Sequence, residues 1–132
     1  IHYLVKTAGM GANLLLNIGP QPSGELPATA VERLAEMGRW MDRYGETIYG
    51  TTATGIEAAD WGTTTLKGDR LFVHVLTPGT TEIVIPSQYR IKKAVTFDGN
   101  EPVKIKKSAD GTILTMEPTP DVIDHIIELR LK

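Results

Sequence analysis

The chain has 132 residues, a formal charge of −2 and a hydrophobic fraction of 41%, the profile of an ordinary globular protein with room for one domain, or for a small domain with something attached. It contains no cysteine, which excludes disulfides and thiolate metal sites. Aromatics are only 6% and no strongly basic face is present, which argues against nucleic-acid binding, and no apolar run reaches the roughly 20 residues that a membrane-spanning helix needs.

The chain opens IHYLVKTAGMG, with Ile1 in place of Met. Ile1, Leu4, Val5 and Ala8 recur at helical spacing, so the sequence is expected to begin inside a helix. With no cap and no preceding turn, residue 1 reads as an artificial or proteolytic start. Gly9 and Gly11 end that helix, and ANLLLNIG follows. A short apolar run between turn signals predicts a strand buried on both faces, of the kind found in parallel sheets. Gly19-Pro20 terminates it, and PQPSGEL is a loop.

A second helix is predicted over 27–44, with Pro27 at its first position, where a missing N–H does no harm. Val31, Leu34, Met41 and Tyr44 form its apolar stripe, while Glu32, Arg33, Glu36 and Arg43 supply the polar side. Gly38 lies on the apolar stripe, where a close neighbour would explain it, and Gly45 is the natural stop. Residues 1–50 thus hold one strand, no partner for it and no core of their own.

After Ile48-Tyr49-Gly50 the period changes. TTTLK, RLFVHVL, TEIVIP, IKKAVTF, PVKIKK, TILTME and HIIELRL predict seven strands, with turns at Lys67-Gly68-Asp69, Asp98-Gly99-Asn100 and Asp110-Gly111. Leu71, Val73 and Val75 alternate with Phe72, His74 and Leu76, and Ile127, Leu129 and Leu131 with Glu128 and Arg130. Strands at this spacing predict a small antiparallel β-sandwich over 51–132, able to form its own core. The fold class expected is α+β: the terminal βα unit of a (β/α)8-like barrel over 1–50, truncated upstream, followed by that sandwich.

The barrel part of that expectation comes from a resemblance. Asn13-Leu14-Leu15-Leu16-Asn17-Ile18-Gly19-Pro20, Gly24, the helix with Gly38 and Trp40, Gly45-Glu46 and Ile48-Tyr49-Gly50-Thr51 resemble the end of the catalytic domain of family 29 glycoside hydrolases, the α-L-fucosidases. Trp61-Gly62, Thr64-Thr65, Lys67-Gly68-Asp69 and Leu71–Leu76 resemble the start of the sandwich that follows the barrel in that family. The resemblance is specific over 11–77 and compatible over the remainder. It implies that LLLNIGP is the last barrel strand, with its covering elements upstream of Ile1.

It also implies a retaining, exo-acting mechanism that removes terminal α-L-fucose between two carboxyl groups about 5–5.5 Å apart. Both carboxyls, and the residues that hold fucose, precede LLLNIGP in the family. No catalytic residue is therefore assigned to this chain, and by itself it is expected to be inactive. The partners implied are a fucosylated glycan and the upstream barrel segment, with no nucleic acid and no membrane. No cofactor is expected, and the location implied is exported: periplasmic, secreted or lysosome-like.

Among individual residues, Asn17 is the candidate for active-site support, because it stands near the C-terminal end of the predicted strand, where barrel enzymes place their chemistry. A buried amide satisfying neighbouring backbone groups is the plainer reading. The Gly19–Gly24 loop is expected at the barrel mouth, as a connection or an aglycone contact. It is no phosphate loop, since GPQPSG lacks the Lys-Ser/Thr ending.

Glu32 and Glu36, one helical turn apart, suit a solvated face. Glu25, Glu46, Asp121 and Asp124 are likewise read as non-catalytic. His2, His74 and His125 have no His or Cys neighbour at ligand spacing, so no metal is expected, and His74 and His125 are placed at the surface or half-buried. Lys92-Lys93 with Lys104, Lys106 and Lys107 are expected as a basic patch on paired strands that discourages edge pairing. Trp61 and Tyr89 are the sugar-stacking candidates of an alternative reading, a non-catalytic carbohydrate-binding or structural sandwich module; packing against the barrel is the other role for Trp61.

Overall fold

The structure, a computed structural model, describes residues 1–132. Two helices, α1 (His2–Gly9) and α2 (Ala28–Tyr44), precede a 3₁₀ turn at Gly45–Thr47. Eight strands follow: β1 (Thr52–Ala53), β2 (Gly62–Lys67), β3 (Arg70–Val75), β4 (Glu82–Pro86), β5 (Ile91–Thr96), β6 (Lys104–Lys107), β7 (Gly111–Thr115) and β8 (His125–Leu131). The seven strands that the alternation predicts all form, and the two-residue β1 joins them as an eighth.

All pairings are antiparallel. One sheet runs β1-β2-β3-β8-β5 and the other β4-β7-β6. A two-residue turn joins β2 to β3, with Lys67 opposite Arg70 and Gly68 at φ 61°, a conformation that glycine adopts without a Cβ penalty. β8 enters between β3 and β5, so the last strand of the chain lies inside the larger sheet and not at its edge.

Leu71, Val73 and Val75 on β3, with Ile127 and Leu129 on β8, face Ile83 and Ile85 on β4 and Leu114 on β7. These buried side chains are the sandwich core. The other face of the same central strands presents Phe72 and Ile126, which with Leu76 meet Val5 of α1 and Trp40 of α2 in a second core. The molecule is therefore three layers deep, and the five-stranded sheet is the middle one. Residues 1–50, which lack a core of their own, take the outer face of that sheet as their floor.

Four expectations need correction. The strand predicted at Ala12–Gly19 does not form; the segment carries neither helix nor strand. Leu15 is 91% exposed and Leu16 52%. A strand buried on both faces needs neighbours to pair its backbone and cover its side chains, and every strand in this chain pairs within the two sheets. No barrel strand is therefore present here.

The stripe on α2 also divides. Met41 and Tyr44 pack around Trp40, whereas Val31 and Leu34 remain exposed. Pro27 is the N-cap, in extended conformation with ψ 137°, and not the first helical residue. Around Gly38 a Cβ would meet nothing within 4 Å, so the close neighbour expected there is missing.

Gly9 is the glycine that close packing does require. A Cβ on it would lie 2.2 Å from Thr63 Oγ1, so α1 sits directly on β2. Gly9→Ala is expected to cost about 1–3 kcal/mol, the usual range for overpacking. Urea denaturation measures this, and an unchanged midpoint would mean that α1 is not seated on the sheet.

Candidate functional site

The first candidate surface is the irregular stretch between the helices. Asn17 is exposed on it, and so are Asn13, Gly19 and Pro20. The Gly19–Gly24 loop is exposed throughout and is closed on itself by backbone bonds, Gln21 N–H to Glu25 O and Gly24 N–H to Gln21 O, each 2.8 Å. Leu15, Leu16 and Leu26 here, with Val31 and Leu34 on α2, form an outward apolar margin. An exposed apolar patch of this kind marks an interface.

The second is the seam between the helical layer and the sheet, built from three polar clusters. His74 is fully buried on β3, a correction to the surface position expected of it. Its Nδ1 lies 2.7 Å from Asp124 Oδ2, and its Nε2 3.2 Å from Thr65 Oγ1. The Thr65 hydroxyl donates its one proton to the Thr47 carbonyl at 2.7 Å, and the Asp124 carboxylate accepts from the imidazole on the other side. The series Thr65–His74–Asp124 has the order of a nucleophile, a base and an orienting carboxylate. It performs no such chemistry, because Thr65 and His74 are 0% exposed and the hydroxyl proton is already committed. It is an internal tie between the turn after α2, the central sheet and the β7–β8 connection.

Arg70 makes the second cluster. It donates to Glu46 and to Glu128 at 2.7 Å each and lies over the Phe72 ring. Arg130 adds a 2.6 Å contact to Glu128. The hydrogen bond from Arg70 holds the Glu46 carboxyl below its ordinary range, against a smaller upward push from burial. Donating to Glu128 and then to Glu46 raises the Arg70 guanidinium above its ordinary value. In the third cluster Asp98 accepts from Arg43 at 2.8 Å and from the Tyr44 hydroxyl at 2.7 Å. Burial pushes the Asp98 carboxyl up, but the bonds from Tyr44 and Arg43 outweigh it and leave it below the usual range. Burial, then the bond to Asp98, raises the Tyr44 phenol.

The remaining expected residues fall outside any shared centre. Glu36 pairs with Arg33 one turn away, Glu25 contacts Ser23, and Glu32 and Asp121 are exposed. His2 Nε2 lies 2.6 Å from the Ile123 carbonyl, and His125 is half-buried at the start of β8. Lys92 and Lys93 are on β5 in one sheet, and Lys104, Lys106 and Lys107 on β6 in the other, so the lysines do not share paired strands. β6 is an outer strand with all four residues exposed, which suits the edge-blocking role. Trp61 packs against the sandwich core, not a barrel, and Tyr89 lies beside the same core with its hydroxyl donating to the Thr54 carbonyl. The sequence did contain the signal for the buried pair: alternation along β3 puts His74 on the same face as Phe72 and Leu76.

The sequence pattern of the family described as alpha-L-fucosidase matches residues 1–46. Plasma alpha-L-fucosidase of Rattus norvegicus is 47% identical over 51 residues, 39% of this chain and 11% of that protein. The structure of alpha-L-fucosidase isoenzyme 1 from Paenibacillus thiaminolyticus is similar with a TM-score of 0.75 and 32% identity, over 92% of this chain and 31% of that one. An alpha-L-fucosidase of family GH29 from Bacteroides thetaiotaomicron, at 23% identity, shares the fold with a TM-score of 0.84 over 99% of this chain and 31% of its own. This chain therefore spans 11% of the length of the rat relative and 31% of each of these solved structures.

Residues 1–46 match the α-L-fucosidase family, and the two helices laid on an antiparallel sandwich resemble the C-terminal portion of the solved fucosidase structures, glycoside hydrolase family 29 among them.

Two outcomes test the seam. Removing one member of a buried hydrogen-bonded pair leaves the other unsatisfied, so His74→Ala is expected to cost about 1–3 kcal/mol in urea denaturation. Asp124 Oδ1 already has no donor, which leaves that carboxylate especially dependent on His74. A cost under about 1 kcal/mol, the level of an exposed pair, would refute the tie. Glu46 supplies the pH test. Its folded value is depressed, so its contribution is present above the unfolded value of about 4.3 and is lost as pH falls through the folded one. Glu46→Gln is expected to flatten the fall of Tm below about pH 5, and an unchanged slope would count against the Arg70 bond.

Proposed function

We propose that this chain is the closing part of an exo-acting α-L-fucosidase that hydrolyses terminal α-L-fucose from glycans, with both catalytic carboxyls carried upstream of Ile1. The observation that supports it most is a coincidence of two features in one stretch. Residues 1–46 match the fucosidase family, and the same stretch holds Leu15, Leu16, Leu26, Val31 and Leu34 outward. Covering such side chains stabilises by roughly 1.5–3 kcal/mol each, and in this reading barrel elements cover them. Ala12–Gly19 then gains partners and becomes the last barrel strand.

On this reading residues 1–50 close the barrel and residues 51–132 brace it from outside through the His74, Arg70 and Asp98 clusters. Asn17 stands at the C-terminal end of the restored strand and supports the active-site shell, and the Gly19–Gly24 loop forms part of the mouth. The mechanism is retaining, through two carboxyl groups. None of Glu25, Glu36, Glu46, Asp98 or Asp124 serves as one, since each is engaged with a neighbour in this chain. A relative is a plasma fucosidase and no helix is long and apolar enough to cross a membrane, which fits export.

Residues 1–132 alone are expected to release no 4-nitrophenol from 4-nitrophenyl α-L-fucoside, and the protein extended upstream through the barrel to release it. In that longer protein Asn17→Ala is expected to lower kcat/KM about tenfold with unfolding unchanged, the loss of roughly one hydrogen bond in the transition state. Turnover by residues 1–132 alone, or a longer protein that cleaves another glycoside and no fucoside, would overturn the reading.

A further inference from the structure

We infer that the sandwich carries a second, non-catalytic binding site, which takes one neutral sugar residue in the cavity between the β5–β6 and β7–β8 connections. The cavity has a volume of about 410 Å³, within the range of about 300–1,000 Å³ typical of small-molecule sites. Glu101, Lys104, Glu117 and His125 line it. None of these four side chains takes part in an ion pair within the chain. Polar capacity thus converges on one space and is not consumed by the protein.

The composition of the lining narrows the ligand. Two carboxylates repel a phosphate. Glu101, Glu117 and His125 are not grouped closely enough to hold a divalent cation, which would also meet the Lys104 ammonium. A wholly apolar ligand would leave the four polar heads without partners. A neutral polyhydroxyl ring suits all of them: its hydroxyls donate to Glu101 and Glu117 and accept from Lys104. Pro102, Val103, Met116 and Pro118 complete the lining with apolar surface for the C–H face of a sugar.

The cavity is held open by bonds that do not involve the four polar heads. Thr96 Oγ1 donates to the Asp98 carbonyl at 2.7 Å and accepts from Glu101 N–H at 3.0 Å, which fixes the connection bearing Glu101. Thr119 Oγ1 donates to the Thr77 carbonyl at 3.2 Å and accepts from Thr80 N–H at 3.0 Å, which fixes the connection bearing Glu117. The backbone carrying Glu101 and Glu117 is thus ordered before a ligand arrives. This site owes nothing to the barrel and stands whether or not the longer protein is a fucosidase.

The test is an NMR titration of the isotope-labelled 132-residue chain with L-fucose, D-galactose and N-acetyl-D-glucosamine, and with calcium chloride and inorganic phosphate as contrasting probes. At least one sugar is expected to give saturable millimolar shifts confined to residues 96–104, 115–120 and His125. Glu101→Gln and Glu117→Gln are each expected to weaken that affinity about tenfold, the effect of one charge-assisted hydrogen bond. Both side chains are exposed, and a spectrum unchanged elsewhere shows that the fold is intact; Lys104→Ala gives a third, independent weakening. No saturable shift with any of the sugars, shifts at another surface, or a response to calcium or phosphate alone would each overturn the site. Fucoside hydrolysis depends on residues outside this chain, so failure of the titration leaves the fucosidase reading standing, and the converse holds.

Discussion

The structure depends on one constraint: the central strands of the larger sheet are covered on both faces. β3 sends Leu71, Val73 and Val75 into the sandwich and Phe72 toward the helices, and every residue from Leu71 to Leu76 is buried. β8 does the same with Ile127 and Leu129 on one side and Ile126 on the other. A sheet with one solvated face would show a clean apolar-polar alternation. β3 does not, because a third layer rests on it, and β8 keeps the alternation only from Ile127 onward, with Ile126 turned to that layer.

Two-sided burial leaves His74 and Glu128 without water, and each has a partner. His74 is tied to Asp124 and Thr65, and Glu128 to Arg70 and Arg130. The ties also cross between layers. Glu46 and Thr47, just past α2, reach the sheet through Arg70 and Thr65, and Arg43 and Tyr44 reach the turn after β5 through Asp98. Apolar packing of Trp40 and Val5 supplies area, and these directional bonds fix how the helix end is oriented on the sheet.

The helical layer is anchored at one end and bare at the other. The C-terminal half of α2 is engaged through Trp40, Met41 and Tyr44, whereas Val31 and Leu34 toward its start, and Leu15 and Leu16 before it, face outward. The anchored half belongs to the sandwich seam, and the family-matching stretch, residues 1–46, takes in both halves. That polarity is what a segment joining two bodies of one larger protein should display. It also accounts for the failed prediction of a strand at LLLNIGP: the pattern is that of a strand, but a strand exists only as part of a ladder, and the partners are not in this chain.

The sequence by itself determined the elements whose information is local. The seven sandwich strands follow from alternation between turn signals, α2 follows from its period of apolar residues, and the likeness to the α-L-fucosidase family follows from Asn13–Pro20, Gly45-Glu46 and Ile48–Thr51. Only the tertiary structure decided which faces are inside. It buried His74 and joined it to Asp124, 50 residues away, put the lysines of β5 and β6 in different sheets, turned Trp61 into the core and left LLLNIGP unpaired. The physical reason is common to all four. Strand pattern is written at a spacing of two residues, whereas sheet order, register and burial are set by contacts between segments far apart in the chain, and no periodicity records which segments meet.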